Sequence, residues 1–342
     1  MPPVSKAPVP ALWSTEHSTM PFLISHCVLA TELYDNEIVN ADTPEGQDSE
    51  GRPSFLYNNL HYLLLGTQGP DVLFYAGLWP LRPCLAKHHY GARLHQQTGR
   101  EYFAALADEL ATIKNKREHD AFESWCFGSL AHLVLDRTCH PYTFYFSGFE
   151  KKGQHHLRQL IRHSRMETAV DSKMAVLHDA GYFVANPEDA LPFTDKEADL
   201  IDRHLLPVLA KFFRHSFPAH FYRNALKTMK SFFTLINRPS GFPLRLLGLP
   251  RALKVPLDAG DDCLNLNHAI WLDPVTGTKH TESFPDLFAR AQKTMATAYY
   301  DLAANGFAAE VIGRYLDECN YSGYVPGQTM VFMSPDYNRR SW

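Results

Sequence analysis

Residues 128–141 read Gly-Ser-Leu-Ala-His-Leu-Val-Leu-Asp-Arg-Thr-Cys-His-Pro, which sets His132, Asp136 and His140 four residues apart in an otherwise apolar run. Side chains at i and i+4 share one face of a helix, so His132 and Asp136 enter the same space. Burying an imidazole and a carboxylate among Leu133, Val134 and Leu135 costs free energy unless something pairs with them, and a divalent cation would satisfy both. His140 lies about 12 Å along the axis from His132, too far for one ion to bind both. Pro141 disfavours helical geometry at the residue before it, so the helix is expected to end at His140 and let that imidazole swing back. The pattern predicts two or more metals strung along one helix, with the two oxygens of Asp136 available to bridge.

A second half-site follows at His163-Ser-Arg-Met-Glu167, where the same spacing returns with Glu in place of Asp. One nitrogen and one oxygen ligand on a helix suit zinc. Asp171, four residues further on, is the expected partner that holds His163 in its ligating tautomer. Upstream, Gly66-Thr-Gln-Gly-Pro-Asp71 closes the apolar run Leu60 to Leu65 in a Gly/Pro turn that presents Asp71 at a helix boundary. Taken singly, each piece has a plainer reading. A lone His on an apolar helix is usually a hydrogen-bonded core residue, and a lone turn Asp is a cap. Their coincidence in one stretch of chain favours a metal site. Imidazole and carboxylate without thiolate favour zinc over iron or manganese.

These residues resemble the zinc-dependent phospholipase C superfamily, which also includes single-strand-specific nucleases, and in particular a branch of uncharacterised bacterial proteins with a phospholipase C-like domain. The stretches that carry the resemblance are Ser25-His26-Cys-Val-Leu-Ala, Gly66 to Asp71 with Leu73-Phe74-Tyr75, Gly91-Ala-Arg-Leu-His95 with Tyr102-Phe103, the His132/Asp136/Cys139-His140-Pro141 helix, and His163-x-x-x-Glu167. They span residues 22 to about 175. The resemblance implies an all-α, multi-helix bundle and a hydrolase acting on phosphoric esters, a phospholipase C-like phosphodiesterase. It implies that Asp71, His95, His132 and Asp136 hold one zinc, that His140, His163 and Glu167 hold a second, and that Asp136 and His26 contribute to a third. It also implies a metal-bound hydroxide as nucleophile, with Asp71 as base and a small phosphate ester or phospholipid head group as substrate. The alternative is a catalytically silent, zinc-stabilised helical binding or scaffold protein, distinguished by whether a coordination position is open.

Two features depart from that pattern. Secreted members begin their mature chain with a Trp that binds the third zinc, whereas this chain starts Met1-Pro2-Pro3 without a charged n-region, apolar h-region or cleavage site. A cytoplasmic location is therefore expected, and Trp13 would serve as that terminus only after cleavage. Lys87-His88-His89-Tyr90 also lies just before His95. Adjacent helical residues point about 100° apart, so at most one of His88 and His89 could face the site, and His89 is the next candidate after His95.

The elements that must position these side chains are mostly helical. Helical periodicity covers 21–35, 54–66, 95–114, 120–139, 154–180, 195–236 with a break near Pro218, and 284–319, while strand-type alternation is nearly absent. Residues 1–20 are rich in Pro and Ser/Thr and read as a loose segment. Residues 21–236 read as the zinc-binding domain, and 237–342 as an irregular segment plus C-terminal helices packed on the same domain. The run Phe242-Pro-Leu-Arg-Leu-Leu-Gly-Leu-Pro-Arg mixes apolar and cationic residues, as a segment in peripheral contact with a membrane would, but Pro and Gly interrupt any long amphipathic face and favour a packing connection. His119-Asp120 and His178-Asp179 sit in polar helix-end contexts and read as surface residues. Six cysteines without a Cys-x-x-Cys indicate neither a disulfide framework nor a thiolate site, and Cys27 and Cys139 read as small buried residues. A net charge of −4 over 342 residues argues against stable nucleic-acid binding, and no apolar run reaches the length of a membrane span.

Overall fold

The structure is a computed structural model that describes residues 22–39, 44, 46–48, 50–76, 90–149, 156–237 and 262–337. Residues 1–20, His88, His89 and the 242–251 run lie outside the described residues. The fold is all-α, as expected. Its helices are α1 (Leu23–Tyr34), α2 (Leu60–Gly66), α3 (Tyr90–His95), α4 (Arg100–Leu110), α5 (Lys116–Ser147), α6 (His156–Leu177), α7 (Tyr182–Ala185), α8 (Asp195–Phe213), α9 (Phe221–Asn237), α10 (Phe284–Asn305) and α11 (Ala309–Ile312). Among the described residues, strand is confined to a two-stranded antiparallel ribbon, β1 (Trp271–Leu272) and β2 (Lys279–His280), with Trp271 opposite His280. Among the described residues no helix is long and apolar enough to cross a membrane.

The 32-residue helix α5 is the axis of the molecule. Asn115 caps it, its side chain accepting from the Glu118 amide. Every residue from Ala121 to Asp136 is buried, so α5 is enclosed on all sides, as a helix apolar around its whole circumference must be. Two glycines allow α2 to cross it backbone against backbone. A Cβ at Gly66 would lie 2.2 Å from the Trp125 carbonyl oxygen, and one at Gly128 would lie 2.5 Å from that of Leu63. This approach brings the C-terminal end of α2, and the 3-10 segment Gly69–Tyr75 behind it, against the middle of α5.

Helix α10 begins at a capping box in which Ser283 and Asp286 satisfy each other's amides, with Pro285 in the first turn. It lies along α5 through Phe284 against Tyr142 and Tyr299 against Phe127. Aromatic residues from the second half of the chain thus join the core built by the first.

Four expected boundaries were wrong, the first being the run 54–66, which is helical only from Leu60. The periodic run 95–114 is two helices broken at Gly99, which has φ 83°. The run 284–319 ends as a helix at Asn305, where Gly306 (φ 76°) is followed by short turns. Most consequentially, α5 does not stop at His140 but continues through Pro141 to Ser147. Proline removes one i→i−4 hydrogen bond, and Gly323 packs against both the Arg137 carbonyl so released and the Pro141 ring. Tertiary packing therefore carries the helix through the proline, and His140 remains a helical residue.

Candidate metal centre

All eight residues singled out from the sequence converge. Donor atoms of Asp71, His95 and His132 lie within 4.8 Å of one another, as do those of His26, His132 and Asp136, and those of His140, His163 and Glu167. His132 thus belongs to two groups, whereas the sequence assigned it to one. The spacing along α5 separates His132 from His140 as the helical rise requires.

Three of the histidines share one arrangement. His132 Nδ1 is 2.9 Å from the Thr67 carbonyl oxygen, His95 Nδ1 is 2.8 Å from that of Gly91, and His140 Nδ1 is 2.9 Å from that of Tyr321. A carbonyl only accepts, so each Nδ1 carries the proton, and in the neutral ring Nε2 presents its lone pair. Those lone pairs face carboxylates. His95 Nε2 is 3.1 Å from Asp71 Oδ1, His132 Nε2 is 3.2 Å from Asp136 Oδ2, and His140 Nε2 is 3.5 Å from Glu167 Oε1. His132 Nε2 is buried with no hydrogen-bond partner among the described residues. Lone pair against carboxylate is repulsive unless a proton or a metal ion lies between them.

The electrostatics describe the same deficit of positive charge. Burial alone would lower the His95 imidazole, but the carboxylates of Asp136 and Asp71 beside it overcome that and raise it to about 10. Burial likewise opposes a charged His140, yet Asp136 and Glu167 raise it to about 9. Burial disfavours ionised Asp136, but His132, His140 and His26 hold its carboxyl well below the usual range, and against the same burial His163 and His140 lower that of Glu167. His26 is the exception. Burial and the neighbouring His132 lower it, and its Nδ1 has no hydrogen-bond partner among the described residues.

The donor set fits zinc. Bonds of about 2.0–2.2 Å in tetrahedral geometry place neighbouring ligand atoms roughly 3.3–3.6 Å apart. The imidazole–carboxylate pairs here span 3.1 Å (His163 to Glu167) to 4.0 Å (His132 to Asp71), most of them within 3.6 Å. Anchoring of Nδ1 on a carbonyl with Nε2 free is also the usual state of a metal-ligating histidine.

Each side chain is placed by a specific local cause. Asp71 sits in the first turn of the 3-10 segment, after Gly69 and Pro70. Gly69 has φ 46°, and a Cβ there would lie 2.6 Å from the His132 ring, so no other residue fits that turn. His26 stacks on His132 with ring centroids 4.3 Å apart and reaches Asp136 Oδ1 at 3.1 Å. The expected role of Asp171 is corrected. Its carboxylate accepts from the amides of Ile24 and Ser25 and from the Ser25 hydroxyl, so it caps α1 and fixes the start of the helix that carries His26. The contact to His163 Nδ1 comes instead from Ser147 Oγ at 3.4 Å, a residue available because α5 continues past Pro141. Cys27 and Cys139 are buried free thiols, with Cys27 donating to the Ala190 carbonyl.

Sequence reasoning missed Tyr321. Its carbonyl anchors His140, its amide donates to the His95 carbonyl at 3.3 Å, and its ring lies 4.8 Å from that of His95. Nothing in Asn320-Tyr-Ser-Gly323 beyond a turn signal points to it. Tyr75 was quoted only for its motif. Its buried hydroxyl has no partner among the described residues, and burial with the charges of Asp71 and Glu167 pushes its phenol above the usual range.

An all-α fold around one buried helix, with imidazoles and carboxylates converging in adjacent groups that could hold metal, defines the class of the site. The family model for zinc-dependent phospholipase C matches residues 22–215, more than half of the chain, and the chain belongs to that family. No curated protein and no solved structure matches it. The match ends before Tyr321, so the loop that completes the His140 anchor lies beyond it.

Proposed function

We propose that this chain is a multi-zinc phosphoric ester hydrolase, a phospholipase C-like phosphodiesterase. In this reading Asp71, His95, His132 and Asp136 hold one zinc, His140, His163 and Glu167 a second, and His26 with Asp136 a third. The observation that carries it is the shared arrangement of His95, His132 and His140, each tied by Nδ1 to a backbone carbonyl with Nε2 turned on a carboxylate. Core packing does not account for three rings oriented this way, from α3 and α5, because packing gains nothing from lone pairs facing carboxylates. We infer one domain for the zinc centre and the C-terminal helices, since Tyr321 and α10 pack on α5.

Zinc bound here would supply Lewis acidity, charge neutralisation and a nucleophile at neutral pH. The residues of the chain do the rest. The backbone carbonyls of Thr67, Gly91 and Tyr321 hold the Nδ1 proton of three rings, so the proton each ring gives up to serve as a ligand is the one on Nε2. Asp71, 3.1 Å from His95 Nε2 and 4.0 Å from His132 Nε2, is the acceptor for the proton of the attacking water. The side chains of His26 and His132 are fully buried and that of Asp136 nearly so, while the His95 side chain is 11 % exposed, which makes the His95–Asp71 edge the approach for a phosphate ester.

The test is elemental analysis of purified protein, followed by a panel of phosphodiesters, phosphomonoesters and phospholipids. At least two zinc equivalents and hydrolysis of a phosphodiester are expected. Asp71→Asn should lower turnover by about a hundredfold or more while most of the zinc stays bound. Absence of stoichiometric metal after zinc-replete expression would remove the reading. Full zinc loading with no hydrolysis across the panel would leave the scaffold alternative, and unchanged turnover in Asp71→Asn would eliminate Asp71 as base.

A further inference from the structure

The N-terminal part of α5 carries a second group of donors, about 20 Å along the axis from His132 at the helical rise per residue. His119 and Glu123 are four residues apart and share a face, with Asp120 beside them. His119 Nδ1 is 3.4 Å from Glu123 Oε2 and 3.7 Å from Asp120 Oδ1, and one donor atom from each residue lies within 4.8 Å of the others. The first separation is that of neighbouring ligands around one zinc, about 3.3–3.6 Å, and the second is just longer. Asp120 gives its other oxygen, Oδ2, to Lys116 Nζ at 2.6 Å, which leaves Oδ1 to the group.

Two further observations separate this group from an ordinary charged helix end. The Glu123 side chain is 8 % exposed, and the ion pair of its carboxylate is with His119 Nδ1 at 3.4 Å, a member of the same group. It also lines a cavity of about 580 Å³ whose other walls include Phe55, Leu110, Ile113, Leu302 and Phe307. A buried carboxylate whose ion pair is with a partly exposed imidazole of its own group, facing an open volume, has little of the compensation that buried charge requires, and burial raises its carboxyl to about 8. A comparably spaced group, Asp199, Asp202 and His220, shows the contrast. There Asp202 accepts from the amides of Tyr222 and Arg223, and Asp199 pairs with the Arg223 guanidinium, so both carboxylates are already satisfied.

We propose that His119, Asp120 and Glu123 form a separate zinc site whose remaining coordination position opens into the cavity. Two carboxylates and one imidazole balance the charge of a divalent ion. Three protein ligands leave a fourth position, the pattern of a site that takes water or a small anion rather than of a closed structural site. The site is independent of the central clusters and stands whether or not these hydrolyse an ester.

The experiment is a cobalt(II) and zinc titration of the metal-stripped full-length chain, read by visible absorption and elemental analysis. Wild type should bind one equivalent more than His119→Ala or Glu123→Gln, and those variants should keep the phosphodiesterase activity of the central site. Equal stoichiometry in wild type and both variants would overturn the proposal. A second measurement needs no variant: modification of His119 by diethyl pyrocarbonate, followed by mass spectrometry. Zinc should slow that modification roughly tenfold once it exceeds its dissociation constant by about the same factor, and equal labelling with and without saturating zinc would overturn the proposal. In an Asp136→Ala background the equivalent sensitive to Glu123→Gln should persist, which separates failure of this site from failure of the central one.

Discussion

Asp136 and Glu167 anchor the two halves of the central site in different ways. Asp136 lies mid-helix on α5 and uses both oxygens, Oδ1 towards His26 and Oδ2 towards His132, His95 and His140. Its imidazoles come from α1, α3 and α5. Glu167, on α6, meets His163 of its own helix and His140 of α5 with the same oxygen, Oε1. A carboxylate that presents one oxygen to each of two groups can bridge them, whereas His163 and His140, meeting one oxygen of Glu167, fall in a single group. The identity of the residue matters less than how many elements deliver donors to it.

The largest expected effect follows from that difference. Asp136→Ala should lose more than one zinc equivalent and all detectable hydrolysis, whereas His163→Ala should lose one equivalent only. Elemental analysis of the two variants side by side decides it, and equal losses would sink the bridging role of Asp136.

Next in size is the dependence on pH. In the metal-free chain His95 and His140 hold protons up to about 10 and about 9. The unfolded chain releases them near 6.5, so the folded state binds more protons between those values. The stabilisation is complete below about 6.5 and disappears as pH rises through 9 to 10. Thermal melts of stripped protein should therefore fall in midpoint from pH 7 to 10. Zinc must displace the same protons, so binding in weakly buffered solution at pH 7.5 should release about two protons for these two histidines. A titration with no proton release would contradict their placement.

The smallest effect is expected at His26. Its Nδ1 lacks the carbonyl anchor of the other three rings, and Asp136 remains held by His132 and His95 without it. His26→Ala should cost at most one metal equivalent. If it empties the site, the stacking of His26 on His132 positions the second ring and the comparison must be redrawn.

The i, i+4 spacing of His132, Asp136 and His140 was legible in the sequence because helical periodicity is local, and so was the otherwise apolar character of the 128–141 run that carries them. The same periodicity identified His163 and Glu167 and the turn that carries Asp71. The partner of each imidazole was not legible. Asp171 has the spacing of a partner for His163, yet it caps α1, because the amides of Ile24 and Ser25 lack helical acceptors and lie closer. The passage of α5 through Pro141 depends on Gly323, and the tautomer of His140 on the Tyr321 carbonyl, both far along the chain. His119 and Asp120, read as surface residues, face a cavity only because Phe307 and Leu302 fold back over the start of α5. Sequence determines which residues share a helix face, since that follows from 3.6 residues per turn. Only the tertiary structure decides what each face meets, because the hydrogen bonds and cavities that set a side chain's chemistry join segments of unrelated sequence position.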